Sequence, residues 1–213
     1  KAGHTGSLDP LASGLLPICL GEATKFSHYL LDSTKRYKTT VKLGETTTTG
    51  DVEGEVLEKC DIPALTQDKI EQVLAQFRGD IQQIPPMYSA VKVNGRKLYE
   101  YARAGETVER PTRQVIISEF TRTSPISYDS DASLARFKFR VKCSKGTYVR
   151  NLAVNLGEKL GFASHMSALQ RTASAGLTID HAFSIADIEA LKAEDRLAEA
   201  FLPIEYGVSD LEK

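Results

Sequence analysis

The stretch Ala135-Arg136-Phe137-Lys138-Phe139-Arg140-Val141-Lys142-Cys143 alternates without exception between a small or apolar residue and a cation. Successive side chains of a β-strand point to opposite faces of a sheet, so this pattern predicts a strand with one face in the core and four cations on the other. Because four like charges repel one another, two interpretations stay open: a solvated face, or a face for a polyanion such as RNA. The stretch predicts a sheet that is covered on one side.

Other segments extend this sheet and cover it. Residues 37–43 read Tyr-Lys-Thr-Thr-Val-Lys-Leu with period two, and residues 115–122 contain a Val-Ile-Ile run, so both are predicted strands. Helices are predicted from caps and apolar spacing: one begins after Thr66, buries Ile70, Val73, Leu74 and Phe77 and ends at Gly79; a second spans 147–160 and stops at Gly161; a third begins with the capping box of Ser184 and Asp187; a fourth spans 194–202 before Pro203. Together these elements predict an α+β fold with a mixed, largely antiparallel sheet flanked by helices.

Composition limits the class of protein. The 213 residues are 41% hydrophobic and 26% charged, close to globular averages, so one domain over 1–213 is predicted, with a loop where Ser, Pro and Asp cluster over 121–133. No apolar run reaches the roughly 18 residues that a membrane span needs. Cys19, Cys60 and Cys143 are widely spaced and form no Cys-x-x-Cys pair, which predicts neither disulfides nor a metal site and favours a reducing cytoplasm.

The formal net charge of −1 hides an asymmetry along the chain. Residues 180–213 carry nine acids against three Lys or Arg, a net of −6, so residues 1–179 carry +5. Within this basic part, the segment 92–113 has six Lys or Arg against three Glu and is rich in Gly and Tyr. Such a segment resembles a loop that grips phosphates, although a solvated surface is the alternative.

Two short motifs hold candidate catalytic groups. Residues 3–14 read Gly-His-Thr-Gly-Ser-Leu-Asp-Pro-Leu-Ala-Ser-Gly, and Pro10 restricts Asp9 to an extended backbone, so the carboxylate is held on a stiff turn. Asp9 as the N-cap of a helix with Pro10 at its first position is the alternative, and His4 is interpreted as a hydrogen-bonded loop histidine. Arg150 falls in the first turn of the predicted second helix, where a cation opposes the helix dipole. We therefore expect a compensating anion, either Asp9 or a phosphate, unless Arg150 is an exposed surface residue.

Further motifs run along most of the chain in one order. They are Gly3 to Pro17, Gly21-Glu-Ala-Thr-Lys25, Lys35-Arg-Tyr37, Phe77-Arg-Gly79, Gln83-Ile-Pro-Pro-Met-Tyr-Ser-Ala90, Gly95 to Arg103, Cys143 to Arg150 and Leu169-Gln-Arg-Thr172. This set resembles the TruB family, the tRNA pseudouridine-55 synthases. The chain departs from the family at Thr48, where members often carry an aspartate. Neither a first strand with Lys-Pro-x-Gly nor a C-terminal PUA domain is found in the sequence, so we expect a catalytic domain lacking both.

The resemblance implies the pseudouridine synthase catalytic fold and an isomerase that needs no cofactor or metal. It would flip uridine 55 out of the T-loop of tRNA, break the N1–C1′ bond and rejoin the base through C5. Asp9 is similar to the catalytic aspartate of the family, whose attack on C1′, attack on C6 or deprotonation of C2′ are all open, and Arg150 would keep it ionised. Tyr37 would stack on the uracil and help with the C5 proton. Tyr148 and Leu169 would line the pocket, and His4 would fill the space that the base leaves.

The implied partner is the tRNA T-stem-loop, with no membrane and no obligate protein partner, so a monomer is expected. Residues 86–112 would form a thumb that orders on RNA, using Lys92, Arg96, Lys97 and Arg103; the acidic part 180–213 is expected to be helical. The alternative is a non-catalytic module that binds or folds tRNA. A retaining carbohydrate hydrolase is disfavoured, because no second acid accompanies the Asp9 motif.

Overall fold

The computed structural model describes residues 1–129 and 133–205, so that part of the predicted loop 121–133 and the end of the acidic segment, 206–213, lie outside it. The strands, in chain order, are β1 (Ala2–His4), β2 (Ser13–Gly14), β3 (Ile18–Leu20), β4 (Lys35–Leu43), β5 (Glu45–Thr47), β6 (Val56–Lys59), β7 (Gly79–Gln83), β8 (Lys92–Val93), β9 (Arg96–Lys97), β10 (Arg113–Arg122), β11 (Ser127–Tyr128), β12 (Ala135–Cys143), β13 (Ser164–Ser174) and β14 (Leu177–Thr178).

The helices are α1 (Ser27–Leu31), α2 (Gln67–Ala75), α3 (Leu98–Arg103), α4 (Val149–Leu160) and α5 (Ile185–Ala193), with 3-10 turns at Gly21–Lys25, Ile179–His181 and Leu197–Ala200. No helix within residues 1–129 and 133–205 is long and apolar enough to cross a membrane. The chain forms two compact units. One unit is Lys1–Arg36 together with the residues from Gln170 onward, and the other is Tyr37–Leu169.

The larger unit is built on the strand order β13-β4-β12-β10-β7, with β11 paired to β12. β10 pairs antiparallel with β12 and with β7. On β12 the predicted alternation is confirmed, because its five small or apolar residues are at most 1% exposed. Helix α2 packs on α4 and on β10, and the ring of Phe120 meets those of Phe77 and Phe139 edge-on at centroid distances of 5.7 and 4.6 Å. These layers confirm the α+β class.

The predicted helices are largely confirmed. Thr66 caps α2, since the Lys69 amide donates to its hydroxyl at 3.2 Å. This helix ends at Ala75 rather than Gly79, because residues 76–78 close with tight i→i+3 hydrogen bonds before β7 begins. α4 begins at Val149, two residues later than predicted, and ends at Gly161, whose φ is +89°. The capping box at the start of α5 is also present.

Two predictions were wrong in detail. The expected helix over 194–202 is only the 3-10 turn Leu197–Ala200, because Asp195 adopts a left-handed backbone with φ +55° that interrupts a helix there. The predicted loop over 121–133 contains the short strand β11, whose Ser127 and Tyr128 pair with Arg136 and Ala135.

The smaller unit holds the N-terminal strands. β1 pairs antiparallel with β3, so that His4 lies opposite Ile18. β2 pairs parallel with Gln170 and Arg171 of β13, and β14 pairs antiparallel with the end of β13. The segment between β1 and β2, which carries Asp9, therefore begins and ends in strands of one unit.

Candidate active site

Asp9 lies in a tight turn of the smaller unit. The amide of Ala12 donates to the carbonyl oxygen of Asp9 at 2.9 Å, and no helix follows. The alternative of a helix N-cap is therefore wrong. The physical reason lies four residues further on, where Ser13 and Gly14 enter the sheet as β2 and extend the chain. Asp9 itself is half-buried.

Arg171 on β13 anchors both ends of the Asp9 turn. Its guanidinium donates from Nε to the Leu15 carbonyl at 2.7 Å, from Nη1 to the Ser7 carbonyl at 3.2 Å and from Nη2 to the Gly6 carbonyl at 3.2 Å. Only 1% of Arg171 is exposed. In the described residues no carboxylate pairs with it, so three peptide dipoles satisfy this buried charge.

Gly14 permits the closest backbone approach in this turn. The Leu15 amide donates to the Arg171 carbonyl at 2.8 Å. A Cβ added to Gly14 would lie 2.2 Å from that carbonyl oxygen, and the φ of Gly14 is +105°. Both facts require glycine at this position. From the sequence, Arg171 was quoted within a motif but was given no role. Its position two residues after the apolar Leu169 could have indicated a cation on the buried face of a strand.

His4 stands at the exposed end of β1. Its Nδ1 accepts a hydrogen bond from the Gly6 amide at 3.2 Å, so the predicted hydrogen bond is confirmed, but His4 ends strand β1 and pairs with Ile18 instead of lying in a loop. This bond orients the imidazole, while the ring itself stays open to solvent. A ring held in this way is suited to stack on a nucleobase.

In the larger unit, Arg150 occupies the first turn of α4 and is buried, with 5% of its surface exposed. The alternative of an exposed surface arginine is wrong. Its Nε lies 3.2 Å from Oδ2 of Asp51, and its Nη1 donates to the Thr49 carbonyl at 3.1 Å. Asp51 is thus an anion that compensates this cation, and sequence reasoning missed it. The pairing of Arg150 with Asp9 stays a prediction.

The carboxylate of Asp51 is itself fixed by its neighbours. Its Oδ1 accepts from the Thr49 hydroxyl at 2.6 Å and from the Glu53 amide at 3.1 Å. The Thr47 hydroxyl donates to the Asp51 carbonyl at 2.6 Å. With 2% of Asp51 exposed, the side chain has little freedom, so it presents Oδ2 to Arg150 in a fixed geometry.

Thr48, where the family often has an aspartate, closes the same turn. Its hydroxyl accepts a hydrogen bond from the Glu55 amide at 3.1 Å, and its own amide donates to the Glu55 carbonyl at 2.9 Å. A hydroxyl oxygen and a carboxylate oxygen both accept from a backbone amide. The turn that holds Asp51 is therefore complete with threonine at this position.

The other expected pocket residues of the larger unit lie on neighbouring elements. Tyr37 on β4 and Leu169 on β13 are each 8% exposed, and these two strands are adjacent. Tyr148 immediately precedes α4, and Gln83 clamps its backbone: the Tyr148 amide donates to Oε1 at 2.9 Å, and Nε2 donates to the Tyr148 carbonyl at 3.2 Å. Gln83 is 4% exposed; like Arg171, it was quoted within a motif but was given no role from the sequence.

The expected thumb, residues 86–112, has local structure of its own. Strands β8 and β9 form a hairpin whose two turn residues, Asn94 and Gly95, both have positive φ, at 51° and 81°. This is the backbone that a two-residue hairpin favours. The hairpin leads into α3, and Leu98 is fully buried beside an amide–carbonyl bond to Val91 of 2.8 Å. Ordering on RNA stays a prediction.

The cationic face of β12 is partly neutralised. Arg136 pairs with Asp129 at 2.9 Å, and Arg140 pairs with Glu119 on β10. These pairs favour the solvated interpretation for two of the four cations. No group of three or more His, Cys, Asp or Glu that could hold a metal ion occurs within the described ranges 1–129 and 133–205.

Two family models match consecutive parts of the sequence. Residues 1–149 match the TruB family pseudouridylate synthase N-terminal domain, and residues 150–209 match the tRNA pseudouridylate synthase B C-terminal domain. The chain therefore belongs to the TruB family of pseudouridylate synthases, which are isomerases. It is 57% identical over 212 residues to the tRNA pseudouridine synthase B of Streptococcus thermophilus, covering 99% of this chain and 71% of that protein. The Streptococcus pyogenes serotype M2 protein of the same name is 55% identical over 214 residues, covering 100% and 72%.

Solved structures support the same fold. The chain superposes with a TM-score of 0.72 and 29% identity on a chain of a Cbf5–Nop10–Gar1 complex, covering 98% of this chain and 53% of that one. For an H/ACA RNP bound to a substrate RNA containing 2′-deoxyuridine, the TM-score is 0.67 and the identity 27%, with 98% and 52% covered. This chain thus spans about half the length of those solved chains.

Proposed function

We propose that this enzyme converts uridine 55 in the T-loop of tRNA to pseudouridine, with Asp9 as the catalytic carboxylate. The relatives named tRNA pseudouridine synthase B support tRNA as the substrate. The observation that carries the role of Asp9 is its turn, which the buried guanidinium of Arg171 holds from both sides. Catalysis by a positioned group requires such rigidity, because a displacement of about 1 Å reduces rates about a hundredfold.

The reaction is balanced within the substrate. The N1–C1′ bond breaks, a C5–C1′ bond forms, C5 loses a proton and N1 gains one, so no other reactant is consumed. An ionised Asp9 supplies the negative charge or the nucleophile that the sugar or base needs when the glycosidic bond breaks. Tyr37 supplies a ring for the uracil and a hydroxyl for the step at C5.

Arg150 is proposed to stabilise negative charge in this reaction. Its guanidinium is buried, and Asp51 and the Thr49 carbonyl restrict its position. A cation held in this way needs no reorganisation when charge develops on the reacting groups. The pairing of Arg150 with Asp9 is part of this proposal, because a cation attracts a nearby carboxylate.

The uridine has to leave its stack before it can react, at a cost of a few kcal/mol. We expect His4 to offset part of this by stacking in the vacated space, and Tyr148 and Leu169 to form apolar walls around the flipped base. Lys92, Arg96, Lys97 and Arg103 of the thumb would contact the backbone of the T-stem-loop. We place this activity in the cytoplasm, carried out by a monomer.

Tritium release from a T-arm hairpin labelled at C5 of uridine tests the proposal. We expect release by the wild-type protein and loss of at least a thousandfold in Asp9→Asn, with RNA affinity retained. Asp61→Asn is the matched control, because Asp61 is an exposed aspartate of the larger unit. Binding without release by the wild type would instead support the non-catalytic RNA module. Release from a hairpin that carries cytidine in place of uridine 55 would refute the assigned position.

A further inference from the structure

Arg96 in the thumb is fixed by two contacts that involve no charge partner. Its Nη2 donates to the Glu100 carbonyl at 2.8 Å. Its guanidinium lies over the ring of Tyr101, 4.4 Å from the centroid, and the Tyr101 hydroxyl donates to the Val93 carbonyl at 3.1 Å. The guanidinium is thereby held by the start of α3 on one side and by a tethered aromatic ring on the other. Its remaining terminal nitrogen, Nη1, takes no part in the hydrogen bond to the Glu100 carbonyl.

This remaining nitrogen is occupied by a carboxylate. Nη1 lies 3.1 Å from Oε1 and 3.0 Å from Oε2 of Glu106. The side chains are exposed, at 37% for Arg96 and 53% for Glu106. An ion pair with this exposure is weak, because water and salt screen it. It is therefore easily exchanged for a better anion.

Glu106 can leave without disturbing the local fold. Its amide donates to the Tyr101 carbonyl at 3.0 Å, so the backbone is held independently of the side chain. Two neighbouring thumb cations differ from Arg96. Lys97 and Arg103 lie over the ring of Tyr99 at 5.3 and 5.2 Å, and neither has a carboxylate partner within the described residues. The carboxylate is thus directed at one cation of the group.

We propose that Arg96 is a preformed site for an RNA phosphate, in which Glu106 occupies the place of the phosphate until RNA displaces it. A guanidinium binds carboxylate and phosphate oxygens through the same N–H donors, so one can replace the other without rearrangement. Glu106 then weakens binding to any lone phosphate. An RNA that also reaches the neighbouring thumb cations overcomes this competition, which makes the site a selectivity element. The inference rests on the proposed function, because it takes RNA as the ligand.

The test is the affinity of the full chain for a T-arm hairpin, measured by fluorescence anisotropy over a range of NaCl concentrations. The variants are Glu106→Gln, Arg96→Gln, the double variant, and Glu109→Gln as the matched control. Glu109 is an exposed glutamate three residues further on and makes no ion pair within the described part of the chain. Any general gain from the loss of one negative charge is therefore common to both glutamate variants.

We expect Glu106→Gln to bind about threefold more tightly than the wild type, the scale of an exposed ion pair. Its log–log salt slope should stay at the wild-type value, because Arg96 contacts the same phosphate in both complexes, whereas Arg96→Gln should lower the slope by about 0.7 to 0.9, the signature of one lost phosphate contact. Glu109→Gln should gain less affinity than Glu106→Gln, and Glu106→Gln should gain no more than Glu109→Gln does when it is introduced into the Arg96→Gln background. Glu106→Asp keeps the negative charge but moves it away from Arg96 on a shorter side chain. Its affinity for the hairpin should lie between those of the wild type and Glu106→Gln.

An affinity of Glu106→Gln no higher than that of Glu109→Gln, with an unchanged melting temperature, overturns the proposal, as does an Arg96→Gln variant whose slope equals that of the wild type. Either result, with tritium release intact in the wild type, leaves the proposed function standing. If no variant binds the hairpin, the proposed function and this inference both fail. Wild-type binding without tritium release rejects catalysis alone and leaves the phosphate site to be judged on the salt slopes.

Discussion

The guanidinium of Arg171 reaches across 156 positions of sequence to the carbonyl of Leu15, at 2.7 Å. The same group binds the carbonyls of Gly6 and Ser7, so one side chain closes both ends of the turn that carries Asp9. A buried cation whose three nitrogens each donate to a peptide carbonyl fixes the position of the backbone around it. We therefore regard Arg171 as the positioning residue of the Asp9 turn.

Arg171→Lys should separate positioning from charge. A lysine keeps the cation but cannot reach three carbonyls in a planar arrangement, so we expect the turn to loosen. The single-turnover rate of pseudouridine formation should fall about tenfold to a hundredfold, while the Kd for the T-arm hairpin changes little. Arg140→Lys, at an exposed arginine, should keep the wild-type rate. A wild-type rate in Arg171→Lys would show that the turn needs no such anchor.

Gly14→Ala should destabilise the protein more than its backbone angle alone explains. At Gly14 the added Cβ would meet the Arg171 carbonyl at 2.2 Å, whereas at Gly79 nothing lies within 4 Å, although φ is positive at both positions. Gly79→Ala is therefore the matched control for backbone strain, at about 1–3 kcal/mol. In urea unfolding, the free energy of unfolding of Gly14→Ala should be at least about 1 kcal/mol lower than that of Gly79→Ala. Equal losses would mean that β2 moves freely away from β13.

Asp51→Ala should be strongly destabilising, because Asp51 and Arg150 form a buried ion pair with side chains 3% and 6% exposed. Removing one member leaves the other charge buried, at a cost of about 3–5 kcal/mol. Urea unfolding measures this loss, and the exposed Asp61→Ala should change stability by less than about 0.5 kcal/mol. A loss of similar size in both variants would argue that Asp51 contributes no more than a surface aspartate.

Glu45 should make stability depend on pH in the acid range. Burial opposes its ionisation, but the hydrogen bond and charge of Lys42, with the charges of His165 and Lys59, outweigh burial and hold the pKa of Glu45 below its usual value. A lowered pKa in the folded state means that the stabilisation is fully present above the unfolded pKa of about 4.3 and is lost as pH falls through the lower folded value. The stability gap between wild type and Glu45→Gln should therefore shrink below about pH 4. Urea unfolding at several pH values measures the gap, and a constant gap would contradict the prediction.

Most of the secondary structure could be predicted from local sequence patterns. The alternation over Ala135–Cys143 predicts β12 because side-chain direction in a strand depends only on its own backbone. Likewise Thr66 and Gly161 bound helices through contacts within one turn. The prediction of a helix over 194–202 was the exception. It was wrong because Asp195 adopts a left-handed backbone, which the composition of the segment does not indicate.

Sequence alone determined the elements, the sheet with one apolar face and the family, since these follow from periods, caps and motifs that neighbouring residues define. It also singled out Asp9 and Arg150 as charged groups in confined places. Only the tertiary structure decided which groups hold them: Asp51 beside Arg150, and Arg171 beneath the turn of Asp9. These partners are about 100 and more than 150 positions away along the chain. The physical reason is that a charge or a peptide dipole acts through distance in space, and only the folded chain brings such remote positions within about 3 Å.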